Sequence, residues 1–134
     1  MSVCSRRIAS AALCLLLASG AVYAGRPAPD AVIVFPLGTD SVPETANPAL
    51  EQLKAKASAD PGNWISLEAY SNDLGSRELN LALDRRRIED VTRRLALYGF
   101  PAHRVRGLSF RERRSSEDDS PLHRVEIRIE KMGL

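Results

Sequence analysis

Cysteine is absent from this sequence beyond position 14. The only two, Cys4 and Cys14, fall within the first 24 residues, so the rest of the chain can form neither a disulfide nor a thiolate metal site. Histidine is equally scarce, and His103 and His123 stand too far apart to suggest a ligand or proton-transfer motif. No HExxH, GxSxG, phosphate-binding loop or cysteine nucleophile occurs. These absences exclude the common enzyme motifs and a clustered metal site, and no cofactor is indicated. A membrane span needs about 20 apolar residues; the longest run here, Ile8 to Val22, is shorter and bounded by small residues.

That run belongs to a different device. Arg6 and Arg7 precede it, and Val22-Tyr23-Ala24 satisfies the small-x-small rule for cleavage. Residues 1–24 therefore read as a secretory signal peptide removed after Ala24, which predicts an exported, periplasmic protein. The mature chain of 110 residues is the size of one domain with its own core. Without Arg6 and Arg7 its 17 basic residues face 17 acidic ones. A neutral domain lacks the basic excess that supplies affinity for nucleic acid.

Residues 25–30 read as a short mobile leader to a domain spanning 31–134. "AVIVF" (Ala31 to Phe35) is a continuous β-branched run suited to a central strand buried on both faces. Asn47, followed by Pro48, reads as the N-cap of a helix whose inward face is Leu50, Leu53 and Ala57. "WISLEAY" (64–70) alternates as a second strand, and "SNDLGS" turns the chain. After a short helical lead-in at "RELNLAL", a helix capped by Asp84 is expected to run to Tyr98, stopped by Gly99, with Ile88, Val91, Leu95 and Tyr98 as its apolar stripe. "HRVRGLSF" (103–110) reads as a third strand, 111–121 as a solvated loop of mixed charge, and "LHRVEIRIE" (122–130) as a last strand with Val125, Ile127 and Ile129 on one face. The order β-α-β-α-β-β predicts an α/β (α+β) two-layer sandwich, helices packed on one face of a mixed sheet.

Arg85, Arg86 and Arg87 pose a question. In the first turn of a helix starting at Asp84 they would oppose the helix dipole, at about 0.3–1 kcal/mol each. Successive helical residues turn by roughly 100°, so Arg86 should face solvent while Arg85 and Arg87 flank the stripe and support no core. A helix N-terminus with an added guanidinium is suited to gripping a carboxylate. Simple neutralisation of the arginines by Glu78, Asp84, Glu89 and Asp90 as surface pairs worth little each is the plainer reading of the residues alone, with Arg93 and Arg94 pairing to Glu89 and Asp90 at helical spacing.

Residues 69–105, "AYSNDLGSRELNLALDRRRIEDVTRRLALYGFPAHRV", followed by "HRVEIRI", resemble the OmpA-like C-terminal domain family, whose pattern is roughly GHTDxxGxxxxNxxLSxxRAxxVxxxLxxxGxxxxR and, later, NRRVEI. Gly75, Asn80, Leu83, Arg87, Val91, Leu95, Gly99 and Arg104 fall on the pattern, as do Arg124 to Ile127. The resemblance implies a periplasmic module that holds peptidoglycan noncovalently by the diaminopimelate side chain of the stem peptide, with Arg87 binding a carboxylate. It carries over Asn72, Asp73, Gly75, Asn80, Arg87 and Arg124 as candidate peptidoglycan-binding residues.

The family's Gly-His-Thr-Asp is Ala69-Tyr70-Ser71-Asn72 here, and its cap Ser is Asp84. Asn72 accepts hydrogen bonds but cannot pair as a charge with an ammonium, which implies weakened binding. The alternative is a degenerate OmpA-like scaffold that binds a protein partner in the cell envelope or a secretion apparatus.

Overall fold

A computed structural model describes residues 27–109 and 123–132. Residues 1–24, expected to be a signal peptide, and 111–121, expected to be a loop, lie outside the described residues. Strands β1 (Ala31–Val34), β2 (Asn63–Tyr70), β3 (Val105–Ser109) and β4 (Arg124–Lys131) and helices α1 (Asn47–Ser58) and α2 (Arg77–Leu97) follow one another as β1-α1-β2-α2-β3-β4. This is the expected order, and the architecture is the expected α+β sandwich. The described strands lie in the order β1-β4-β2-β3. β4 runs antiparallel to both its neighbours, while β2 and β3, joined through α2, are parallel, as a helical crossover permits.

Alternation along the strands puts Ile33, Ile65, Leu67, Ala69, Val125 and Ile127 on the face beneath the helices, all buried. Leu50, Leu53 and Ala57 of α1 and Val91 and Leu95 of α2 close the core from above. Ile88, Tyr98 and Ile129 pack partly buried against it, so the stripes expected on α2 and β4 face inward. Gly99 ends α2 with φ +97°, a left-handed conformation that glycine adopts without penalty. Gly107 of β3 sits directly under the Ile88 side chain, so the strand reaches the helix only because that residue has no side chain of its own.

The structure corrects several expectations. β1 is not a central strand: it is the outermost described strand on one side of the sheet, and Val32 and Val34 are 46% and 45% exposed. Its β-branched run reflects strand propensity rather than burial on both faces. Asn47 is the first residue of α1 rather than its cap, because a 3-10 turn at Glu44–Ala46 feeds straight into the helix. Residues Ala102–Arg104 form another 3-10 turn, so β3 starts later than expected. Asp30, placed by sequence in a mobile leader, is tied to β4: its backbone N–H donates to the Ile127 carbonyl at 2.8 Å, and its carboxylate accepts from the Ile129 N–H at 2.7 Å.

The largest correction concerns α2. "RELNLAL" is not a lead-in but the first two turns of one 21-residue helix. Its N-cap is Ser76, whose Oγ accepts from the Leu79 N–H at 3.2 Å, and Asp84 lies in the interior. The dipole effect fades within the first turn, so the three arginines escape that penalty. Among the described residues no helix is long and apolar enough to cross a membrane.

Candidate functional site

Moving the helix start to Ser76 turns Leu83, Asp84, Arg87, Val91 and Leu95 into one buried face. Arg87 is therefore not a flanking residue that supports no core: it is 0% exposed. Two loops converge on it. From the segment after β1, the Thr39 carbonyl accepts from Arg87 Nε at 2.8 Å and the Phe35 ring lies beneath the guanidinium, 4.8 Å from Cζ to the ring centre, a favourable cation-to-ring stack. From the segment after β2, Ser71 Oγ accepts from Nη1 at 2.8 Å. Asp73 grips both outer nitrogens, with Nη2 to Oδ2 at 2.7 Å and Nη1 to Oδ1 at 3.3 Å. This is the two-pronged arrangement that makes arginine–carboxylate pairs strong and directional.

Asp73 is as thoroughly engaged as its partner. Its side chain is 1% exposed, Oδ2 also accepts from the Gly38 N–H at 2.8 Å, and Oδ1 from the Asn72 N–H at 3.2 Å. Burial alone would raise the Asp73 pKa, but Arg87 and the two backbone N–H groups outweigh it and hold the carboxyl below its usual value. Gly38, at φ +72°, supplies the tight bend that aims its N–H at Asp73.

A second acid completes the cluster. Asp84 is 2% exposed, and its Oδ1 has no hydrogen-bond partner. Burial is the main reason that its carboxyl is pushed up to about 6; Asp73 adds repulsion, while hydrogen bonds from Ser71 and the charge of Arg87 act in the opposite direction. The cluster thus places one guanidinium and two carboxyl groups out of water, with Asp73 bonded to the guanidinium and Asp84 linked to it through Ser71.

Of the other residues singled out by sequence, Asn80 joins the cluster indirectly. Its Oδ1 accepts from the Leu74 N–H at 2.9 Å and its Nδ2 donates to the Leu74 carbonyl at 3.1 Å, so it clamps the loop carrying Asn72 and Asp73. Asn72 is exposed beside it. Gly75 occupies an exposed bend where neither a positive φ nor any atom within 4 Å of a would-be Cβ calls for glycine. Arg124 is not brought to Arg87. It lies on the sheet face away from α2, stacked over the Tyr70 ring at 4.1 Å and bonded to Glu126 at 2.9 Å. Burial chiefly, with Glu68 and Glu126 nearby, pushes the Tyr70 hydroxyl up to about 12.

The arginine run has a structural answer as well. Arg86 reaches Asp40 at 3.1 Å, Arg87 the Thr39 carbonyl, Asp90 the Val42 N–H at 2.8 Å, and Arg94 the Asn47 side chain at 2.8 Å and the Val42 carbonyl at 3.4 Å. One face of α2 thereby fastens the whole segment from Thr39 to Asn47. Arg93 pairs with Asp90 as its spacing suggests, whereas Arg94 turns to Asn47 instead of an acid. Sequence reasoning missed Phe35, Gly38, Thr39 and Ser71 as parts of the site. The one available signal was the turn-rich "PLGTD", which places a glycine and a free carbonyl close after β1.

Neither a family model nor a curated protein matches the sequence, but solved structures do resemble it. The peptidoglycan-associated lipoprotein from Burkholderia pseudomallei is 22% identical and superposes with a TM-score of 0.64, over 74% of this chain and 89% of that one. The periplasmic domain of Helicobacter pylori MotB (residues 78–256) gives 16% and 0.57, over 75% and 71% of the two chains. The OmpA-like domain of FopA1 from Francisella tularensis gives 15% and 0.56, over 76% and 74%. The chain has the fold of the OmpA-like domains.

Proposed function

We propose that this protein is a periplasmic peptidoglycan-binding module that contacts the diaminopimelate stem peptide through the loop 71–76 and Arg87. The observation that carries the reading is the convergence of Ser71 and Asp73 on Arg87, within a fold shared with a peptidoglycan-associated lipoprotein. A guanidinium supplies the bidentate grip for a carboxylate, and the acids around it supply partners for an ammonium. Asn72, exposed at the loop, offers hydrogen bonds but no charge. Asn80 clamps the loop through the Leu74 backbone, and Gly75 lies at its exposed bend. Arg124, on the other sheet face, contributes to the end of the sheet rather than to the grip itself.

A second reading, a scaffold that binds an envelope protein, is favoured by one observation: Arg87 is fully engaged by its own chain. Co-sedimentation of the purified protein with insoluble sacculi separates the two. Pelleting that is competed away by free diaminopimelate and strengthened by Asn72→Asp supports the glycan reading. A folded protein that stays in the supernatant with and without Asn72→Asp would move the assignment to a protein partner.

A further inference from the structure

Arg87 has two edges able to receive a carboxylate, and both are occupied. The outer edge, Nη1 and Nη2, is taken by the two oxygens of Asp73, and the Nε side is held by the Thr39 carbonyl. One flat face rests on Phe35. The Asp73 backbone is fixed from both sides, by the Asn72 N–H on its own carboxylate and by the Asn80 clamp on Leu74. An anion from solution finds no open position on this guanidinium.

We infer that Asp73 is the specificity-determining residue of the site: it fills the carboxylate position of Arg87, so that an outside carboxylate gains Arg87 only by displacing it. The inference rests on the reading of Arg87 as a ligand-binding residue. Charge balance then says which ligands can enter. A simple monocarboxylate would leave Asp73 buried without a cation, next to Asp84, and uncompensated buried charge is strongly unfavourable. A zwitterion carrying an ammonium near its carboxylate lets Asp73 exchange the Arg87 guanidinium for the incoming ammonium, with no net change in buried charge. The site therefore selects zwitterions over plain anions by exchange of partners. The internal carboxylate lowers the apparent affinity of every ligand by the fraction of time the pair is open.

The test follows the Arg87 Nε–H signal by NMR while acetate, and separately free diaminopimelate, is added at constant ionic strength near neutral pH. In the wild type, acetate should leave the signal in place and diaminopimelate should move it. In Asp73→Asn, which keeps an acceptor for the Gly38 N–H, acetate should produce a saturable shift, with affinity raised about tenfold or more. The preference for the zwitterion should shrink by a similar factor. A saturable acetate shift in the wild type overturns the inference, and so does a folded Asp73→Asn that gains no acetate binding. Asp73→Ser serves if the amide variant fails to fold. If Asp73→Asn gains acetate while diaminopimelate moves nothing in either protein, Asp73 guards Arg87 as inferred, and it is the peptidoglycan reading that fails.

Discussion

Arg87 and Asp73 neutralise each other where neither reaches water, Nη2 standing 2.7 Å from Oδ2. Removing one member of such a pair leaves the other charge buried alone, at about 3–5 kcal/mol. Arg87→Ala should therefore lower unfolding stability by roughly that amount, whereas Arg86→Ala, which loses only an exposed pair with Asp40, should change it by less than about 1 kcal/mol. Urea denaturation of the two variants is the check, and equal losses would contradict the assigned burial. Because Arg87→Ala damages the fold, it is a poor probe of binding.

Asp84 makes stability depend on pH. Its carboxyl titrates at about 6 in the folded protein against an ordinary value of 3.8, so the folded state holds the proton more tightly than the unfolded chain does. That stabilisation is complete below about pH 4 and is lost as the pH rises through about 6. Asp73 acts in the opposite direction: with a lowered pKa, it adds stability above about pH 4 that disappears as the pH falls through its folded value. The protein should be more stable near pH 5 than near pH 8. Asp84→Asn should remove that decline and stabilise the protein at pH 8 by on the order of 2 kcal/mol. Thermal melts across this range decide, and an unchanged decline in the variant would show that Asp84 is not its source.

Gly107→Ala should be costly although the residue is exposed. A methyl group there would overlap Ile88 Cγ2, and forcing such contacts typically costs about 1–3 kcal/mol. Trimming the obstacle in Gly107→Ala with Ile88→Ala should recover part of the loss relative to Ile88→Ala alone. A double-mutant cycle in urea measures this, and simple additivity would count against the contact.

Asn80→Ala should release the loop that carries Asp73. Both polar atoms of the Leu74 backbone lose their partner; these groups are only partly buried, so the cost should lie near the lower end of the roughly 1–3 kcal/mol for an unsatisfied buried group. Hydrogen exchange at the Leu74 amide should accelerate markedly, while Val91 and Leu95 in the core remain slow. Unaltered exchange at Leu74 would mean that the loop is held by something else. Gly75→Ala, by contrast, should leave stability and loop exchange unchanged, since its position meets no obstacle.

The fold was legible because its signals are local. The stripes on α2 and β4, the inward face of α1 and the glycine after α2 all follow from spacing and from glycine's freedom at positive φ. The start of α2 was misread because Asp84 looks like a cap in isolation, and only the buried Leu83 and Asn80 on the same face reveal that the helix already exists there. β1 was misread because an apolar run says nothing about which strands lie on either side of it. The candidate site was half legible: the positions of Asn72, Asn80 and Arg87 lie on a recognisable pattern. Asp73's capture of Arg87 comes from a turn 14 residues earlier, the parts played by Phe35, Gly38 and Thr39 come from a loop some 48 residues away, and no periodicity encodes either meeting.

The strand order also has a consequence for assembly. β1 hydrogen-bonds to β4, and β4 in turn to β2, so the latest strand in the sequence is the wedge that joins the earliest to the rest. Until Arg124–Lys131 arrive, β1 has no neighbour among the described strands, while β2, α2 and β3 can already form a parallel unit. Long-range closure of this kind slows folding and leaves strand edges unpaired in the interval. A chain interrupted before β4 would therefore lose more than one strand: it would expose two edges at once, and with them the apolar inner face that Val125 and Ile127 complete.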